Sequence, residues 1–445
     1  MDTKRVQWSG RVAFILATAG SAIGLGNIWK FPYIAGINGG GAFVLIYLVC
    51  IALVGIPIMI AEMYIGQRGQ KNAVTSFEVL DKKGTWWRMP GFMGIVSAFL
   101  ILSFYSVVGG WILDFEFRAL LGNLVSMDEK VIGETLSSLL KSPWRQLFWH
   151  TLFMGITCYI VAAGIRQGLE RWNNVLMPVL LLLLLILLAR VLFLPGFGEA
   201  MSFLFTPDFS KLTGEGILEA VGHSFFTLSL GMGAIITYGS YLKEGEDLQK
   251  ISLIVAFMDT IIALIAGVVI FSVVFSFNME PGAGPGLIFS TLPVLLSKMQ
   301  GGSLMAVGFF LLVAFAALTS AVSLLEVVVA YWDETQHLDR KRGAVVSSVS
   351  IYLVGILSVL STNILANVKI FDLTFFDLFD KLTSSYLLPV GGLLISLFFG
   401  WKLGSKAVEE VVGSTEKKRY HVLLWSTRVV APLAVCAILI HKFAG

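Results

Sequence analysis

The stretch Ala22-Ile23-Gly24-Leu25-Gly26-Asn27 interrupts an apolar run that is otherwise long enough to cross a membrane, and the rest of the chain is read from it. A second interruption, Ser229-Leu230-Gly231-Met232-Gly233, lies in another such run. Each glycine costs a helix about 1 kcal/mol relative to alanine, so a Gly-x-Gly pair at mid-span invites unwinding. Unwound backbone cannot face lipid, where every bare N–H or C=O costs several kcal/mol. It must line a polar cavity or be packed by protein. Close packing of small residues between helices is the alternative for either stretch taken alone.

Composition sets the frame around those breaks. Of 445 residues, 56% are hydrophobic and 14% charged, against about 25% charged in a soluble domain; the mean hydropathy is +0.83. A net charge of +3 without any basic tract argues against a nucleic-acid partner. Cys50, Cys158 and Cys436 lie in apolar segments without metal-ligand spacing. The first apolar run is long and ends in no small-residue cleavage site, so no cleavable signal peptide is expected.

A span needs about 20 apolar residues. Candidates fall near 11–36, 41–66, 90–121, 146–164, 168–194, 216–241, 250–277, 300–333, 343–363, 376–400 and 421–441, eleven in all. No linker separates them, so 1–445 reads as a single all-α polytopic membrane domain. Arg5, Arg11, Arg68, Lys71, Lys82, Lys83, Arg88, Arg166, Lys243, Lys250, Arg340–Arg342 and Lys417–Arg419 fall in one set of loops. That set is expected to be cytoplasmic, together with the N-terminus, and the odd span count puts the C-terminus outside.

The two breaks fall in the first and sixth spans, which therefore cross in opposite directions. Interrupted segments at matching positions of two inverted halves point to a transporter's binding site. Half-helix N-termini offer N–H groups to an anion, and unwound carbonyls offer oxygen to a hard cation. Thr227, Thr319 and Ser320 add hydroxyls at membrane depth. Asp259, alone in an apolar stretch, reads as functional because a bare charge is costly there, with a packing role as the alternative. No spacing of Ser/His, paired Asp or zinc ligands supports an enzyme. A channel would not need an apolar side-chain pocket. A sensor of the same fold that binds without transporting is the remaining rival.

Arg5-x-x-Trp8 followed by GSAIGLGNIWKFPYIAGINGGGAF closely resembles the neurotransmitter:sodium symporter family, and FFTLSLGMGAIITYGSY at 225–241 and FAALTSAVSLLE at 315–326 agree with it. The resemblance runs from about residue 4 to 441 and is nearest to the eleven-span bacterial transporters of hydrophobic and aromatic amino acids. It implies a leucine-transporter-like fold: a 5+5 inverted repeat, 11–194 and 216–400, with helices 1 and 6 broken, plus an eleventh helix at 421–441.

The resemblance also implies site residues. One sodium ion would take the Ala22 carbonyl, Asn27, Thr227, Asp259 and the substrate's carboxylate. A second would take the carbonyls of Gly20, Ile23 and Ala316 with the hydroxyls of Thr319 and Ser320. Asp259 stands where the leucine transporter has asparagine; a carboxylate there implies that chloride is not needed. Gly24 stands where monoamine carriers have aspartate, which leaves room for an α-amino acid's own carboxylate near Leu25, Gly26 and the Tyr105 hydroxyl. Ile101, Phe226, Ser229, Met232, Ser320 and Leu324 would form an uncharged side-chain pocket.

For the gates, the resemblance pairs Lys30 with Asp380 on the outer side, under a cap of Tyr105 and Phe226. It locks Arg5 and Trp8 against Tyr241 and Asp333 on the inner side. Glu334 competes with Asp333, because the spacing from Glu326 is one residue short. Gly168 and Pro178 match a family motif for unwinding the cytoplasmic end of the fifth span, with a plain proline kink as the alternative.

Overall fold

The computed structural model describes residues 5–82, 84–124, 129–279, 286–336, 338–413 and 416–444. Among them there are no β-strands, only two isolated bridges. The apolar runs fold as helices, because in lipid a helix satisfies its own N–H and C=O groups. Spans two, three and five are Gly41–Gly69, Trp86–Leu120 and Ile165–Val191. Spans seven to eleven are Leu248–Ser276, Gly302–Gln336, Arg340–Leu360, Phe375–Val412 and Lys417–His441.

Three spans depart from this plain pattern. The first is a bent pair, Arg11–Ala22 and Gly26–Ile37, turned by 49° across the glycine break. The sixth is cut into Gly214–Thr227 and Ala234–Gly239, too short in either piece to cross alone. The fourth, Pro143–Ala162, is 20 residues long but carries Arg145, Gln146 and His150 in its first half. The polar groups turn inward: Gln146 takes the Trp111 indole N–H at 2.8 Å and His150 meets the Ser106 hydroxyl at 2.9 Å. The whole is the leucine-transporter-like arrangement expected from the sequence, with both broken helices at the centre and an eleventh helix beside them.

Neighbouring elements look after the backbone that unwinding sets free. The Ser229 hydroxyl donates to the Ser21 carbonyl at 2.8 Å and so ties one break to the other. The Gly231 N–H donates to the buried Glu62 carboxylate at 2.7 Å. Gly231 has φ +77, and a Cβ there would lie 2.4 Å from the Leu388 carbonyl oxygen. Both its left-handed backbone and its approach to the tenth span require glycine.

Candidate binding and gating site

The two breaks line a small cavity of about 20 Å³. The first break contributes Ser21, Ala22, Gly24, Leu25 and Gly26 to its wall, and the third span contributes Ile101 and Tyr105. Phe226, Ser229 and Met232 come from the sixth span, and Ser320 and Leu324 from the eighth. Eleven of these twelve were singled out from the sequence; Ser21 was not. No charged side chain lines the cavity. A Cβ on Gly24 would lie 2.5 Å from the Ser320 hydroxyl and 3.1 Å from that of Tyr105, so the missing side chain is what keeps this end open. The Leu25 N–H points to the Tyr105 hydroxyl at 3.4 Å, a long contact with room for a competing acceptor.

Thr227 does not line this cavity; it turns to Asp259. Its hydroxyl lies 3.0 and 3.2 Å from the two carboxylate oxygens, and the Asn27 amide donates to one of them at 2.7 Å. The Asn27 carbonyl oxygen in turn accepts the Gly24 N–H at 3.1 Å. Tyr47, unmarked by any motif, donates to the same carboxylate at 3.3 Å. Asp259 is fully buried. A buried carboxylate surrounded by an amide and two hydroxyls, with no cation among its partners, is a donor set suited to a hard cation.

A second oxygen cluster lies on the eighth span. The Thr319 hydroxyl bonds to the Ala316 carbonyl at 3.1 Å. The Ser320 hydroxyl reaches the carbonyls of Gly20 at 3.4 Å and Ser21 at 3.1 Å. Ile23 ends the first half-helix with ψ 99, outside the helical range, so its carbonyl leaves the ladder. All these donors are oxygens, as an alkali cation requires.

At the N-terminal end the molecule is latched. The Arg5 guanidinium donates to the Glu334 carboxylate, to the Ser240 hydroxyl and to the Gln70 carbonyl, and it lies 4.5 Å from the centre of the Tyr241 ring. Trp8 is buried and donates through its indole N–H to the Tyr238 carbonyl at 3.0 Å. The acidic partner is therefore Glu334, which corrects the expectation of Asp333. One residue along a helix is about 100° of rotation, and Asp333 makes no hydrogen bond or ion pair among the described residues. Beside this latch, Tyr241 donates to buried Glu326 at 2.6 Å, and Arg340 donates to both Glu326 oxygens. No sequence motif marked Arg340, whose other N–H reaches the Val161 carbonyl across the bundle.

Among the described residues, the opposite end lacks a matching latch. The expected pairing of Lys30 with Asp380 is not formed: the Lys30 ammonium lies over the Phe226 ring, 4.8 Å from its centre. A cavity of about 100 Å³ lies there, with Lys30, Glu219, His223 and Ser384 in its wall. In the fifth span, Ile165–Glu170 forms a π-helical turn that includes Gly168, and Pro178 sits inside the following helix. A Cβ at Gly168 would lie 2.0 Å from the Ile160 carbonyl oxygen, so that turn is pressed against the fourth span.

Two broken helices tied together at their breaks, a cavity between them, and one latched end opposite an end without the Lys30–Asp380 pair define a secondary transporter with two inverted repeats. The model of the Sodium:neurotransmitter symporter family matches residues 5–130 and 135–444, and the chain belongs to that family. It is thus a sodium-coupled symporter in a membrane and not an enzyme. It is 39% identical to the sodium-dependent transporter YhdH of Bacillus subtilis, over 99% of this chain and 98% of that one. A sodium-dependent transporter of Haemophilus influenzae is 36% identical, with 99% of each chain covered. The fold matches the crystal structure of MhsT in complex with L-phenylalanine at a TM-score of 0.91 and 45% identity, covering 98% of this chain and 99% of that one.

Proposed function

We propose that the chain imports hydrophobic and aromatic α-amino acids across the cell membrane together with two sodium ions. The observation that carries this reading is the cavity between the breaks. Its side-chain end is Ile101, Phe226, Met232 and Leu324 with the hydroxyls of Ser229 and Ser320, and its other end is kept open by Gly24. An acidic or basic substrate would bury its charge there unpaired, at a cost far above what the apolar contacts return. The substrate carboxylate lies by Gly24, within reach of the Leu25 and Gly26 N–H groups and the Tyr105 hydroxyl. The phenylalanine bound to MhsT, a structure 45% identical in sequence, supports the same substrate class.

The first sodium ion takes Asn27, Thr227, Asp259, the Ala22 carbonyl and the substrate carboxylate. The second takes the carbonyls of Gly20, Ile23 and Ala316 with the hydroxyls of Thr319 and Ser320. Asp259 supplies the negative charge beside the first ion, so chloride is not required. Residues 11–194 and 216–400 act as the two repeats, with 421–441 outside them. The Arg5 end with the N-terminus is cytoplasmic and the C-terminus is outside. Lys30 and Asp380 meet when the outer side closes, over Tyr105 and Phe226. The cytoplasmic side opens as Arg5 leaves Glu334 and the segment from Gly168 to Pro178 unwinds.

A sodium-dependent binding screen over the common amino acids tests this. Leucine, phenylalanine and tryptophan bind, whereas glutamate, lysine and tryptamine do not. Tryptamine competing as well as tryptophan would show that the carboxylate is not what the Gly24 end recognises.

A further inference from the structure

The fifth span carries a polar group that neither the cavity nor the latches account for. Asn173 is 2% exposed. Its amide N–H donates to the Leu169 carbonyl at 2.8 Å, one turn back on its own helix. Its carbonyl oxygen has no hydrogen-bond partner among the described residues. The orientation is fixed by chemistry, because only the NH₂ side can donate to a carbonyl. The oxygen therefore faces the opposite way, towards the first and eighth spans. A Cβ built on Gly20 would lie 2.4 Å from that oxygen and 3.3 Å from the Thr319 Cβ. Gly20 and Thr319 are both members of the second oxygen cluster. A buried amide oxygen without a donor is unfavourable, and such groups in folded proteins call for a partner.

We propose that Asn173 supplies a side-chain oxygen to the second sodium ion, so that the ion bridges the fifth span to the first and eighth. This rests on the assignment of Gly20, Ile23, Ala316, Thr319 and Ser320 to that ion. Asn173 sits between Gly168 and Pro178, and its amide is anchored on Leu169 within the π-helical turn. Bound sodium then holds this segment wound through Asn173. Unwinding the segment withdraws one of the ion's oxygens. The absence of a side chain at Gly20 is what lets the asparagine oxygen come this close.

The test uses the full-length protein in detergent, with sodium titrations of phenylalanine binding and hydrogen exchange of residues 165–178 at high and low sodium. Asn173→Leu removes the oxygen at similar volume and is expected to weaken apparent sodium affinity about tenfold. It should also abolish the sodium-dependent protection of 165–178 that the wild type shows. Asn173→Asp keeps an oxygen for the ion but loses the N–H that anchors the side chain on Leu169, so it should retain sodium affinity where Asn173→Leu does not. If Asn173→Leu titrates like wild type, or if Asn173→Asp loses as much as Asn173→Leu, the asparagine is a packing residue and the proposal is overturned. Thr319→Ala with Ser320→Ala, run in parallel, separates the two assignments. Loss of sodium response in that double variant alone sinks only the role of Asn173, whereas an unchanged response there removes the second site itself.

Discussion

Asp259 shows what a single residue can decide in an apolar helix. Its carboxylate is fully buried and shared by Asn27, Thr227 and Tyr47, and it has no cation partner among the described residues. If Asp259 holds the first sodium ion as proposed, a proton and that ion compete for its two oxygens, and apparent sodium affinity is expected to fall as pH falls. Asp259→Asn keeps the shape and one oxygen but removes the charge. It is expected to lower sodium affinity about tenfold, to flatten the pH dependence, and to let chloride strengthen binding. Sodium-dependent phenylalanine binding at two pH values, with and without chloride, checks this; a variant that matches wild type in all four conditions makes Asp259 a packing residue. Gly24 decides by absence. Gly24→Ala places a methyl 2.5 Å from the Ser320 hydroxyl, an overpacking that costs about 1–3 kcal/mol. The variant should lose phenylalanine affinity even at saturating sodium, and unchanged affinity would show that the carboxylate lies elsewhere.

At the scale of elements, the glycine breaks were legible because backbone polar groups in a membrane must be accounted for, and the sequence names the residues that release them. What receives those groups was not legible. Glu62 caps Gly231 from the second span, Tyr47 reaches Asp259 from the same span, and Arg340 reaches Glu326 and Val161. None of these pairings has a fixed spacing, because each partner arrives by packing from another helix. The Arg5 latch failed by one residue for a related reason. Spacing along the eighth span left Asp333 and Glu334 open, and only the helix phase that packing imposes turns Glu334 to Arg5. Glu334→Gln should therefore loosen the latch and raise hydrogen exchange of residues 5–10, at a cost of more than about 1 kcal/mol. Asp333→Asn should leave that exchange near wild type. The reverse ranking would restore Asp333 as the partner.

Across the whole molecule, the asymmetry between the ends is the main mechanical fact. Arg5, Trp8, Glu334 and the Tyr241–Glu326–Arg340 set hold one end shut, while Lys30 rests on Phe226 and forms no ion pair with Asp380. A lysine ammonium is a compact point charge without the planar fork of arginine, so it moves easily between an aromatic face and a carboxylate. The helical spans and the inverted-repeat fold are legible in the sequence, because hydropathy and the family motifs report on them directly, and the residues those motifs name line one cavity. Which gate stands open is not, since both states use the same residues. The most direct measurement of the central proposal is uptake by proteoliposomes under an inward sodium gradient. Phenylalanine and leucine are predicted to accumulate only with that gradient, equally with or without chloride, and not at all in the Thr319→Ala, Ser320→Ala variant. Accumulation that persists when potassium replaces sodium, or that survives in the double variant, would contradict sodium-coupled amino acid import through this site.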